Sequence, residues 1–279
     1  MPYEETPVGQ VQALYRYPVK STAGQAVRAS IVTGTGLQHD RRWAVYTEDG
    51  GIASGKRTRR FRPVPGLMQW SSVIEDNNIL EGNNFLDDNG GVPLLLSPEG
   101  LSYRVDDPAA AQALSTAFGR ELTLRPETGV GHHDETPLHL VTTSSLTALE
   151  DLAGGAVDDR RFRANIVIDT GSQPAFCEDD WVGAELVLGG EVVLRLGEGM
   201  PRCVMIDQAQ AGVPAETKAL KLLGSSHSAE FGLQAHVVRT GMLRVGDAVV
   251  LRRSRPHNVA CSPGQDPMTP VAGAGPAQP

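Results

Sequence analysis

The chain has 279 residues, 40% of them hydrophobic, with 31 Gly and 19 Pro; it can bury a substantial core in one large or two smaller domains, and its turn formers favour short strands. A net charge of −8 argues against broad nucleic-acid or anionic-membrane binding, since both need a basic face. Cys177, Cys203 and Cys261 include no C-x-x-C pair, which argues against a disulfide scaffold, an iron–sulfur cluster or a four-cysteine zinc site. With a polar, acidic N-terminus and no apolar run of about 18 residues, the expectation is a soluble cytoplasmic protein.

Strands are predicted over 8–15, 27–32, 42–46, 51–53 and 67–74. The Asp49-Gly50-Gly51 step marks a hairpin between the third and fourth. An Asn/Asp/Gly-rich loop covers 81–91, and 92–96 with 101–105 reads as another hairpin. Asp107-Pro108 opens a helix reaching about Phe118. The loop 128–137, rich in Gly, His and acids, is the expected domain boundary. A strand at 138–141 leads through Thr142 to Ser145 into a helix with Leu146, Leu149 and Leu152 on one side. Strands follow at 164–168, 184–188, 192–196 and 203–206, then a helix over 214–223 and closing strands at 234–239 and 245–251. The segment 254–279, with little apolar patterning, is expected to be disordered. Neither a dinucleotide fingerprint nor a Walker loop is present.

Cys203 stands out. It lies in Gly199-Met200-Pro201-Arg202-Cys203, where a neighbouring guanidinium would favour a thiolate and a bend at a strand start is a common place for a functional side chain; an inert buried thiol is the alternative. The alternation of Phe162, Ala164, Ile166 and Ile168 with Arg163 and Asn165 would set those two polar side chains on one strand face. A solvated strand face explains the pattern equally well. Lys20-Ser21 after Tyr17-Pro18 offers an anion-binding turn, and Arg41 is a candidate phosphate reader. Ser144 and its hydroxyl neighbours at a helix start offer an anion site or a plain cap. His39-Asp40 and His132-His133-Asp134-Glu135 lack the spacing of a helix-borne metal motif. No G-x-S-x-G frames a serine nucleophile, and nothing supports a Cys–His protease.

Taken in order, Tyr17-Pro18-Val19-Lys20-Ser21, Asp40-Arg41-Arg42-Trp43, Arg161 to Ile168, Glu178-Asp179-Asp180-Trp181, Arg202-Cys203 and Glu230-Phe231-Gly232 form a pattern. The chain resembles MOSC-domain proteins that carry an N-terminal β-barrel domain, and is most similar to the amidoxime-reducing component group. The resemblance implies a mainly β fold with a few helices and two barrel-like domains, 1–130 and 131–253. It implies a molybdenum–molybdopterin cofactor with Cys203 as the thiolate ligand. Lys20, Ser21, Arg41, Ser144, Arg163, Asn165 and Arg202 would contact the pterin and its phosphate. It further implies reduction of N-hydroxylated small molecules with electrons from a separate reductase or ferredoxin, because the single cysteine after 251 cannot build a cluster. The competing expectation is a carrier of cofactor or sulfur, with Cys203 as a persulfide and no redox turnover. Loops 127–137 and 208–216 would shape the pocket.

Overall fold

The computed structural model describes residues 3–75, 91–129, 131–215 and 218–254. The disordered segment expected after 254 and, apart from Gly91, the polar loop at 81–91 fall outside these residues.

The fold is mainly β. Its largest element is a seven-stranded closed barrel. Around the barrel run Ile166–Asp169, Leu138–Thr142, Glu230–Arg239, Val192–Pro201, Glu185–Leu188, Ala248–Ser254 and Tyr3–Arg16, which closes back on Ile166–Asp169. Only the pairing of Leu138–Thr142 with Ile166–Asp169 is parallel among these ladders. Its crossover carries the helix Thr143–Ala153, capped by the Thr142 side chain on Ser145 N–H and stopped by Gly154 at φ 72°. Leu14, Leu138, Leu140, Ile166, Leu186, Leu194 and Leu233 fill the barrel. The opposite face of Ile166–Asp169 packs, through Val167, with Val141, Leu149, Phe162 and Phe231. This strand is buried on both sides, so no clean alternation marks it.

The N-terminal strand therefore belongs to the barrel whose other strands come from the second half of the chain. Between them, a second β unit is built from two small sheets. One contains Leu122–Pro126, Trp43–Thr47, Ile52–Ser54 and Phe61–Pro63; the other contains Ser102–Arg104, Leu94–Leu96 and Ser71–Val73. Val19, Val45, Leu67, Trp70, Leu95, Leu114 and Leu122 form its core. The helix Pro108–Phe118, capped by Asp107 on Ala109 N–H, packs on this unit. Both expected hairpins are present, Tyr46 facing Ile52 and Leu95 facing Tyr103.

Four local expectations are corrected. The single strand at 27–32 is two, Gln25–Val27 and Ala29–Thr33, which enter different sheets. The start of 67–74 is a 3₁₀ turn, Leu67–Gln69, before the strand Ser71–Val73. The segment 203–206 is not a strand: Val192–Pro201 ends just before it and Val204–Asp207 is a 3₁₀ turn. Its apolar residues Met205 and Ile206 are buried, which a tight turn achieves as well as a strand. The helix expected at 214–223 spans Ala219–Ser226.

Candidate functional site

Three clamped turns meet between the barrel and the second unit. After the first strand the chain bends at Tyr17-Pro18. Lys20 N–H donates to the Trp43 carbonyl at 2.8 Å and Val19 N–H to Ser72 Oγ at 3.0 Å. Buried Val19 anchors the turn in the second core, so Lys20 follows in a fixed place and Ser21 adopts a left-handed φ of 66°. The second turn holds Asp40, which accepts from Tyr17 N–H at 2.7 Å and ion-pairs with Arg41. The third is the 3₁₀ turn Asp159–Phe162, capped by the Asp158 side chain and ended by Arg163 at φ 54°. Arg163 Nη1 donates to the Thr22 carbonyl at 2.7 Å, and Arg41 Nη2 to the Arg163 carbonyl at 3.2 Å. Their guanidinium groups lie 4.3 and 4.9 Å from the centre of the Tyr17 ring. Ser21, Arg41 and Arg163 all have positive φ, a backbone state that costs a side-chain-bearing residue about 1 kcal/mol or more and clusters at functional sites.

Lys20, Ser21, Arg41, Arg163, Asn165, Arg202 and Cys203 all line one cleft of about 200 Å³. Ser144 does not. Its hydroxyl lies in a separate cluster with Thr142, Thr170 and the Cys177 thiol, beside buried Glu178. Arg163 and Asn165 reach the cleft without sharing a strand face, because the strand begins only at Ile166. Phe162, Ala164, Ile166 and Ile168 are all buried, but so are Arg163 and Asn165 between them, so the alternation does not mark two faces of one strand. Asn165 uses its amide internally: Nδ2 donates to the Tyr15 carbonyl at 3.2 Å and Oδ1 accepts from His139 N–H at 3.3 Å. It ties two barrel strands together behind Arg163.

Cys203 follows a strand that is bulged against its partner between Leu196 and Pro201. Its carbonyl accepts from Ile206 N–H at 3.1 Å, and its thiol is half-buried. Arg202 Nη2 donates to the Phe162 carbonyl at 2.9 Å, while its buried Nε has no partner among the described residues.

The charge balance of the cleft is uneven. Lys20, Arg41, Lys56, Arg161, Arg163 and Arg202 line it against the carboxylates of Asp134 and Glu135. Burial pushes Lys20 down to about 8, against the opposing pull of Asp134. Burial, then Arg41, pushes Arg163 down to about 10. Burial likewise pushes Arg202 down to about 10, with Cys203 working the other way. Desolvated cations in excess, an orphaned guanidinium nitrogen and a thiol are the donor set that an anionic group with a thiolate-accepting metal requires.

Other residues of the cleft and its support lie outside the family pattern. Asp134 ion-pairs with Lys20 and, at 2.7 Å, with Lys56. Its loop is fixed by His132, which is fully buried with its ring nitrogens 3.0 Å from Tyr46 Oη and 2.9 Å from the Arg41 carbonyl. Glu127 accepts from His132 N–H at 2.7 Å. The loop expected to mark a boundary and to shape the pocket is thus a wall of the cleft. His139 is also buried there, 2.9 Å from the Phe231 carbonyl. Burial and then Arg202 hold its pKa well below 6.5, so the ring is neutral.

Comparison with known proteins gives two family matches: residues 8–85 match the MOSC N-terminal beta barrel domain and residues 127–250 the MOSC domain. Mitochondrial amidoxime reducing component 2 of Bos taurus is 29% identical over 289 residues, covering 87% of this chain and 83% of that protein. Molybdenum cofactor sulfurase of Oryza sativa subsp. japonica is 27% identical, covering 72% of this chain and 28% of its own. Among solved structures, the YUAD protein from Bacillus subtilis superposes with a TM-score of 0.48 at 10% identity, covering 91% of this chain and 100% of that one.

Proposed function

We propose, on the premise that this chain is a MOSC-domain protein carrying the associated N-terminal barrel domain, that it holds a molybdenum cofactor in the cationic cleft and reduces N-hydroxylated small molecules with electrons from a separate protein. The observation carrying this reading is the convergence of Cys203 with six cations in one cleft. The name of one relative, a molybdenum cofactor sulfurase, supports the choice of cofactor, and that of another, an amidoxime reducing component, supports the choice of reaction.

When bound, the cofactor would supply a two-electron redox centre with a position open to substrate. Cys203 would provide a soft thiolate ligand. Lys20, Arg41, Arg163 and Arg202 would hold the phosphate and the pterin edge, with the Ser21 hydroxyl as a further donor. An arriving phosphate would compete with Asp134 for Lys20 and restore full protonation of that amine. Asn165 would act through Arg163 by fixing the strand start behind it. His139, neutral and buried, would add a dry polar wall without adding charge. On this reading the domain division lies in the loop 128–137, with the first strand lent to the barrel of the second domain.

The test is protein produced in a host that makes the cofactor, assayed for molybdenum and pterin and then for benzamidoxime reduction with reduced methyl viologen. Stoichiometric molybdenum with turnover is expected. Protein that never retains either component sinks the proposal. Retention without turnover, together with sulfur transfer from Cys203, would make it a carrier.

A further inference from the structure

Between Asp49 and Glu75 the sequence has no acidic residue, yet Lys56, Arg57, Arg59, Arg60 and Arg62 fall within seven positions. In a chain of net charge −8 this is a strong local reversal. The segment links Ile52–Ser54 to Phe61–Pro63. It is a braced turn: Thr58 Oγ1 accepts from the N–H groups of Arg60 and Phe61, both at 3.1 Å. Arg62 Nη1 donates beneath it to the Thr58 and Arg59 carbonyls at 3.3 and 3.2 Å. Arg60 Nη1 reaches across to the His133 carbonyl at 3.0 Å.

The turn divides its cations. Lys56 faces the cleft and pairs with Asp134. Arg62 pairs with Asp49. Arg57 and Arg59 are exposed, and neither side chain has a partner among the described residues. The turn is also tied to the segment that carries the thiol. Gln208 Nε2 donates to the Gly55 carbonyl at 2.9 Å, and Ser54 Oγ lies 3.4 Å from Met205 Sδ. Beside Cys203, Val204 is 48% exposed. A fixed, unneutralised basic tip therefore adjoins the mouth of the redox cleft, next to an apolar spot.

Reducing an N-hydroxyl group to the amine consumes two electrons and two protons and releases one water, so each turnover must draw two electrons from outside the chain. We infer that the Lys56–Arg62 turn is the docking surface for the electron donor, and that this donor is a small redox protein with an acidic face. The inference rests on the reductase reading above. A negative donor is repelled by the net charge of −8 but attracted to this basic tip, which orients it toward the adjoining cleft and Cys203. Such steering changes encounter rates by ten- to a thousandfold and weakens as salt shortens the Debye length to about 10 Å at 0.1 M. Nucleic acid and anionic membranes are disfavoured partners, because the two free arginines are a small footprint against the surrounding negative charge.

The test compares the holoprotein with its Arg57→Glu/Arg59→Glu variant. With reduced methyl viologen, both should reduce benzamidoxime at the same rate within about twofold. With an acidic [2Fe–2S] ferredoxin as donor, the variant's KM for ferredoxin should rise at least about tenfold at 50 mM salt with kcat retained. The wild-type KM should climb with salt, and the variant's should not. Direct binding of ferredoxin, measured by calorimetry, should show the same loss. Ferredoxin binding that is absent in the wild type, or equal in both proteins, overturns the assignment. So does arginine-dependent binding to duplex DNA or phosphatidylserine vesicles in its place. Failure of viologen-driven turnover would instead remove the reductase reading, and the calorimetry would still report on the surface.

Discussion

Replacing Lys20 with Met removes one buried amine from a cleft crowded with positive charge, and its effect is readable in the cofactor-free protein. Lys20 is 5% exposed, and its pKa falls from 10.5 to about 8. Between these values the unfolded chain binds the proton more tightly than the native one. Stability of the wild type therefore rises with pH across the window from about 8 to 10.5, and is lowest where the native amine is also charged. From pH 7 to 10 the two titrations differ by about 2–3 kcal/mol. Urea midpoints measured over that range should show the wild type gaining roughly this amount relative to Lys20→Met, other titrations cancelling in the difference. Added phosphate should flatten the wild-type rise, since a bound anion keeps the amine charged. Parallel stability curves for the two proteins would refute the claim that burial, rather than Asp134, governs this lysine.

Other substitutions separate ligand, cradle and scaffold. Cys203→Ser should lower retained molybdenum at least about tenfold while its half-buried position leaves the melting temperature nearly unchanged. Undiminished metal by mass spectrometry would remove the ligand role. Arg163→Ala should weaken pterin retention by roughly ten- to a hundredfold, the usual cost of a charge-assisted contact. Ser144→Ala, at the hydroxyl cluster away from the cleft, should retain pterin fully by fluorescence. Gly232 sits at φ 69°, where a Cβ would press on the Leu140 carbonyl oxygen and the His139 ring. Gly232→Ala should destabilise the fold by about 2 kcal/mol or more, seen as a lower urea midpoint, and wild-type stability would contradict that packing.

The β class was legible because short apolar runs are punctuated by Asp-Gly, Gly-Gly and Pro steps, and the capped helices at Pro108 and Thr143 were legible from their first residues. Arg163 shows where such reading stops. Its neighbours alternate as in a strand, but polar and apolar residues there are buried alike, and nothing local reveals a left-handed residue. The cleft's cations were found as pieces of a family pattern; no spacing rule joins Lys20 to Arg202. His139 was missed, and Asp134 was read only as part of a pocket-shaping loop, because their roles depend on contacts more than 90 positions away in the chain, Asp134 with Lys20 and His139 with Phe231.

The placement of Tyr3–Arg16 bears on how the molecule is made. This strand pairs along one edge with Ala248–Ser254 and along the other with Ile166–Asp169. On the ribosome it emerges well before both partners and waits until Ala248–Ser254 is made before its second edge is covered. Until then its backbone groups are open to wrong partners, and closure must be slow because the contacts span the chain. A holding chaperone, or early docking of Val19 into the smaller core, would shelter it during that interval. Expression fragments that begin at the loop 127–137 would lack this strand and expose two sheet edges, so they should aggregate rather than yield an isolated cofactor-binding half.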